Sequence, residues 1–283
     1  FEGMKAYKDD HGDVWLFRPD QNIKRLNKSA ERLAIPQFPE DLFLEGLYKL
    51  IDLDRNWVQS GAGNSLYIRP FMFASEACVQ ASPAKEYRIM IICAPVSSYY
   101  NSVEVRVKIA DHFSRAPQGG TGYAKAAGNY AGQFYPTQLA IDEGYQQIIW
   151  TDAATHQYIE EAGTMNLFFY IGDKLITAPT SDSILDGVTR KSVIELAKDH
   201  GIEVETRQLS VSELIESAKN NSLKEIFGSG TAVVVLPIHG FGYKEEDFQL
   251  PKSEDSIALK LKSKLTSIQH NKTDDPYGWR VKV

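Results

Sequence analysis

Cysteine is scarce: two residues in 283 exclude a disulfide framework. Long apolar runs are absent, since no stretch approaches the ~18 consecutive apolar residues that a membrane span requires. A basic excess is absent too. The 31 lysines and arginines face 37 acidic residues, for a net charge of −6 with no compensating cationic stretch, which argues against a nucleic-acid binder. The opening Phe1-Glu-Gly-Met-Lys-Ala-Tyr7 lacks a signal-peptide pattern and an initiator methionine. It reads as the start of a stretch partway into a longer polypeptide. Cys93, inside Arg88-Ile-Met-Ile-Ile-Cys-Ala-Pro95, is expected to be a reduced, buried core thiol, which favours a cytosolic, cytoplasmic setting.

What is present is ordinary globular material, 43% hydrophobic and 24% charged, long enough for one large or two medium domains. Apolar spacing predicts a strand at Val14–Arg18, a helix after Asn22 ending before Pro36, and a helix from Glu40 to about Asp52. Strand-like runs follow at 66–74, 87–94 and 103–109, with a polar stretch over 96–101. Beyond the cluster Gln118-Gly-Gly-Thr-Gly122, helices are expected at 129–143, 188–200, 212–218 and 256–268. Strands are expected at 146–151, 157–160, 165–171, 174–177, near 204, and at 224–227 and 232–236. The mixture is α/β in the α+β sense. The expected organisation is a small N-terminal domain over 1–100, a linker over 101–118 and a larger domain over 119–283.

Several motifs fail on inspection. Gly119-Gly-Thr-Gly-Tyr-Ala-Lys125 has alanines where a phosphate-binding P-loop needs Gly before the lysine and Ser or Thr after it. Asp52-Leu-Asp-Arg-Asn56 begins like a calcium loop but has Trp57 at position six and Gly63 at position twelve. No His-Glu-x-x-His, Cys-x-x-Cys or Gly-x-Ser-x-Gly occurs, the six histidines are scattered, and no metal site is expected. Lys125 is unusual for its small neighbours Gly122, Ala124, Ala126, Ala127 and Gly128. A lysine that bonds to a flat aldehyde cofactor needs such room, although locally it also reads as one solvated lysine among many.

Five runs then occur in order: Glu2-Gly-Met-Lys-Ala-Tyr7, Gly119-Gly-Thr-Gly-Tyr-Ala-Lys-Ala-Ala-Gly-Asn-Tyr130, Glu160-Glu-Ala-Gly-Thr-Met-Asn166, Ile184-Leu-Asp-Gly-Val-Thr-Arg190 and Phe227-Gly-Ser-Gly-Thr-Ala232. With the closing Tyr277-Gly-Trp-Arg-Val-Lys-Val283, the chain resembles the branched-chain amino acid aminotransferases, pyridoxal-phosphate enzymes of fold type IV, from end to end.

The resemblance implies two domains with pyridoxal 5'-phosphate at their interface. It implies transfer of the amino group of L-leucine, L-isoleucine or L-valine to 2-oxoglutarate, giving the 2-oxoacid and L-glutamate. Lys125 matches the lysine that binds the cofactor aldehyde and shuttles a proton. Glu161 matches the acid facing the pyridine nitrogen, leaving Glu160 as the solvated strand-end acid. Tyr130 matches the hydrogen-bond partner of the cofactor's phenolic oxygen. Arg25, Val188, Thr189 and Thr231 match phosphate ligands. Phe1, Tyr67, Arg69, Thr164, Thr231 and Ala232 match substrate contacts, with Tyr67 and Arg69 reaching in from a partner subunit of a homodimer or higher homo-oligomer.

Plainer accounts stand beside these. Arg25 reads locally as a surface charge, Tyr130 as a packed helix residue, and Thr189 and Thr231 as caps or turn residues. Tyr67 and Arg69 share one face of an alternating strand, as an edge strand's exposed pair also would. Related readings are a D-amino acid aminotransferase, an aminodeoxychorismate lyase, or a cofactor-binding protein without turnover. Val233-Val-Val-Leu236 stands where some relatives carry Cys-x-x-Cys, so thiol redox control is not expected.

Overall fold

The computed structural model describes residues 1–97, 104–253 and 255–283. The chain divides into Phe1–Tyr99 with Thr266–Val283, and Tyr100–Leu265. The C-terminal residues thus fold with the N-terminal ones, not with the larger domain as expected. Strand pairing is the reason: Arg280–Lys282 pairs antiparallel with Val14–Phe17. The polar boundary expected over 96–101 falls largely outside the described residues.

In the first unit come β1 (Met4–Lys8), β2 (Val14–Phe17), α1 (Pro19–Arg32), α2 (Glu40–Leu53), β3 (Ser65–Ala74) and β4 (Tyr87–Val96). Among the described residues they form a five-stranded sheet in the order terminal strand, β2, β1, β3, β4. Alternation in β3 sends Leu66 and Ile68 inward, where they meet Ile23 and Leu26 of α1 and Phe43, Leu47 and Ile51 of α2. Tyr67 and Arg69 stay on the other face. Helix α1 starts earlier than expected because Pro19 takes its first turn, a position that needs no N–H donor. Cys93 is half-buried at the edge of this core, not fully buried, and burial pushes its thiol up to about 11.

The second unit contains β5 (Arg106–Ile109), α3 (Gly128–Asp142), β6 (Gln147–Thr151), β7 (Tyr158–Ala162), β8 (Met165–Ile171), β9 (Lys174–Thr177), α4 (Val188–Asp199), β10 (Glu203–Thr206) and β11 (Leu209–Ser210). It continues through α5 (Val211–Lys219), β12 (Leu223–Gly230), β13 (Val234–Ile238), β14 (Gly240–Tyr243) and β15 (Glu246–Gln249). Helix α6 (Ile257–Gln269) crosses the division at Leu265. The sheet runs β10-β9-β8-β7-β6-β5-β14-β15, with β12 joined to β8 and β13. Its core gathers Val107, Ile149, Leu167, Phe169, Leu214, Ile226 and Phe241.

Two departures share one cause. Strand β12 continues past the expected Phe227 to Gly230, and the β14–β15 hairpin has no counterpart in the expected elements. Both contain glycines required by close approach: a Cβ on Gly228 would meet Met165 Sδ at 2.6 Å, and one on Gly240 the Phe248 carbonyl at 2.7 Å. No helix among the described residues is long and apolar enough to cross a membrane.

Candidate active site

In the second unit, one end of the sheet gathers most of the expected residues. Glu161 lies on β7, opposite Asn166 of β8. Asn166 pairs in turn with Ser229 of β12. The turn after β12 holds Thr231 and Ala232, both half-buried, and Thr164 is exposed in the turn between β7 and β8. The two turns adjoin, since a Cβ on Gly230 would lie 3.1 Å from the Thr164 carbonyl.

Lys125 sits in the irregular segment between β5 and α3. Asn129 staples this segment: its Oδ1 accepts from Thr121 Oγ1 at 2.7 Å, and its Nδ2 donates to the carbonyls of Thr121 (2.8 Å) and Ala124 (2.9 Å). Lys125 Nζ lies 3.2 Å from the Tyr130 hydroxyl, bringing together two residues that the resemblance assigns to the same cofactor. The small neighbours have a packing role as well. A Cβ on Gly122 would meet Ala116 Cβ at 2.5 Å and Ser183 Cα at 2.6 Å, so the 181–183 segment closes directly over it.

Glu161 is buried, and both of its carboxylate oxygens are engaged. Oε1 forms an ion pair with Arg115 Nη2 at 2.8 Å. Oε2 accepts from Asn166 Nδ2 at 3.0 Å and from the Leu185 amide at 3.1 Å. Burial pushes this acid up to about 7 against the opposing pull of Arg115, the Leu185 amide and Lys125. Its neighbour Glu160 is not the solvated acid expected. It is half-buried, accepts a hydrogen bond from the Ser183 hydroxyl, and burial raises its carboxyl above the usual range.

Val188 and Thr189 are buried in the first turn of α4, whose opening N–H groups have no acceptor within the helix. Gly187 precedes them in extended conformation, so tightly packed that any Cβ would overlap Asn166 Oδ1. The start of α4 and the Glu161 cluster are therefore locked together through Asn166.

The remaining expected residues belong to the first unit. Arg25 is no surface charge: it forks onto Glu2, Nε to Oε1 and Nη2 to Oε2, both at 2.8 Å. Asn22 Nδ2 adds a third donor to Glu2 at 2.8 Å. Arg69 Nη2 donates to the Tyr67 hydroxyl at 2.8 Å, and its guanidinium lies 4.6 Å from the centre of the Phe1 ring. Phe1, Tyr67 and Arg69 thus form one cluster within this unit. The sequence reading gave no role to Arg115 or Asn129. Arg115 has no local signal at all, whereas Asn129 and Asn166 both stand within the quoted motifs.

Arrangement and chemistry fit pyridoxal phosphate. An amine beside a phenol, a buried acid with an acceptor position to spare, and a helix start with N–H groups unused by the helix are what its aldehyde, ring nitrogen and phosphate each require.

Comparison with known proteins places these features in context. The amino-transferase class IV family matches residues 1–241. A probable branched-chain-amino-acid aminotransferase of Staphylococcus aureus is 46% identical over all of this chain and 80% of its own length. Branched-chain-amino-acid transaminase 1 of Bacillus subtilis is 43% identical, over all of this chain and 81% of its own. Among solved structures, the branched-chain amino acid aminotransferase from Escherichia coli superposes with a TM-score of 0.79 at 27% identity, covering 99% of this chain and 88% of that one. The branched-chain amino acid aminotransferase from Thermobaculum terrenum, in its PLP form, shares the fold with a TM-score of 0.81 at 20% identity, covering 99% and 88%.

Proposed function

The chain belongs to the amino-transferase class IV family, and we infer that it is a branched-chain amino acid aminotransferase. The reaction moves the amino group of L-leucine, L-isoleucine or L-valine to 2-oxoglutarate, reversibly, leaving the 2-oxoacid and L-glutamate. The α+β architecture is that of the fold type IV enzymes. The observation that carries the reading is the Lys125–Tyr130 contact at 3.2 Å, set in the same unit as a buried, ion-paired Glu161.

Pyridoxal 5'-phosphate, when bound, supplies an aldehyde that bonds to amines and a ring that takes up the electron pair released at the substrate Cα. Lys125 would hold that aldehyde and, when its amine is free, would carry a proton to and from the substrate Cα. Glu161 holds a proton on the ring nitrogen. Tyr130 donates toward the phenolic oxygen. The N–H groups of Val188 and Thr189 and the Thr231 hydroxyl would hold the phosphate. Thr164, Thr231 and Ala232 take the substrate carboxylate side.

Phe1, Tyr67 and Arg69 are the candidates for recognising the substrate side chain. Arg69 stacks on Phe1 and bonds to Tyr67, which supports a guanidinium that pairs with the distal carboxylate of glutamate and withdraws for an isobutyl group. A homodimer is the working assembly. Exposed apolar side chains support it: Met90 and Ile92 on β4 and Phe134 and Tyr135 on α3 are 46%, 52%, 69% and 65% exposed. Both cysteines are free, in keeping with a cytoplasmic enzyme.

Borohydride reduction followed by peptide mass analysis tests the assignment. A pyridoxyl adduct is expected on Lys125, and Lys125→Ala should lose both the adduct and turnover of L-leucine. An adduct on another lysine, or faster turnover of D-alanine than of L-leucine, would reject it.

A further inference from the structure

Glu161 needs a counter-charge that does not change during the reaction. A carboxyl this deeply buried prefers its neutral form, because burial penalises charge. Among the described residues, four charged groups bear on it: Arg115 from the segment after β5, Lys125 further along that segment, Glu160 beside it on β7, and Arg190 from the first turn of α4. Glu160 opposes ionisation. Lys125 favours it, but on the reading above its amine is bound covalently and then carries a proton, so its charge varies. Arg190 donates to the Ala178 carbonyl at 2.8 Å and acts on Glu161 only through space.

Among the described residues, Arg115 alone is both permanently charged and in contact, with the two side chains only 5% and 6% exposed. Its guanidinium is itself fixed by the carbonyls of Gly122 and Ser183, and Gly122 lies in the Lys125 segment. A carboxylate offers about four acceptor positions. The Asn166 and Leu185 amides take two of these and the Arg115 charge lies against Oε1, which leaves an acceptor position for a pyridinium N–H.

We propose that Arg115 is a positioning residue: it draws Glu161 toward its ionised form and orients it so that the acid can accept the N–H of the cofactor ring. This rests on the aminotransferase reading above, whose own failure shows separately, as absence of the Lys125 adduct in the unmodified enzyme.

The test is a carboxyl-13C titration of the cofactor-free full chain, with the Glu161 resonance assigned by its loss in Glu161→Gln. The unmodified protein should titrate near 7 at this position. Arg115→Gln should raise the midpoint by ~1–3 pH units, a tenfold to thousandfold gain in proton affinity, whereas Arg115→Lys should stay within about one unit. A merely structural arginine would lower the unfolding midpoint without moving this titration. An unchanged midpoint in Arg115→Gln overturns the proposal. If that variant does not fold, the unmodified protein decides: a midpoint above about 9, the range of uncompensated buried glutamates, overturns it, and one near 7 supports it.

Discussion

Glu2 and Arg25 are joined by two parallel contacts of 2.8 Å, with Glu2 wholly shielded from solvent. Removing one partner of such a pair strands the other charge in a poorly hydrated place. Arg25→Ala is expected to cost about 3 kcal/mol in urea unfolding. The double replacement Glu2→Gln with Arg25→Met should cost less than the single one, because no charge is left behind. A single-variant loss under about 0.5 kcal/mol would mean that solvent reaches the acid after all.

The staple of Asn129 offers a second measurement. Asn129→Ala removes three hydrogen bonds that hold the Lys125 segment, each contributing roughly 0.5–1.5 kcal/mol. Amide exchange over 119–128 should accelerate while exchange in β8 and β12 stays as it was. Uniform acceleration across the second unit would instead point to a role in global stability.

Gly187→Ala probes a contact where backbone freedom is irrelevant, since the residue already has ordinary extended angles. The added methyl overlaps Asn166 Oδ1 and displaces the donor that holds Glu161. A destabilisation of ~1–3 kcal/mol is expected, together with weaker uptake of pyridoxal phosphate in an absorbance titration. Unaltered uptake would show that Asn166 shifts without disturbing the acid.

Acid sensitivity should be traceable to Asp9. Burial works against its charge, but donors from Asn271, Trp15 and the amides of Asp13 and His11 prevail and hold its carboxyl at about 2. Since the folded value lies below the unfolded one, the unfolded chain binds more protons between them. The resulting stabilisation of about 2 kcal/mol is full above pH ~4 and disappears as pH falls toward 2. Asp9→Asn should therefore differ most from the parent at pH 5–7 and converge with it near pH 2, as read by thermal unfolding. A gap that stays constant down to pH 2 would contradict this.

Legibility followed local chemistry. Strands β8 and β9 were expected at 165–171 and 174–177, where they stand, because apolar and β-branched runs there end at sharp turns. Strand β1 has only five residues with lysines at two of them, and β14 hides behind glycines whose purpose is visible only once Phe248 and Tyr145 are beside them. The same holds for charge. Lys125, Tyr130 and Glu161 stood in quoted motifs, but Arg115 is an isolated arginine until folding puts Glu161 within 2.8 Å. Glu160 looked solvated because strand alternation alone says nothing of the Ser183 segment lying over it.

The strand Arg280–Lys282 carries a consequence for biosynthesis. It completes the sheet beside β2, the Val283 amide reaches the Val14 carbonyl, and Asn271 caps Asp9 at 2.7 Å. During translation the first unit's opening strands emerge long before these partners exist. The nascent chain must carry an unfinished β-edge past the ribosome while the whole second unit is made, and only the strand synthesised after that unit closes it.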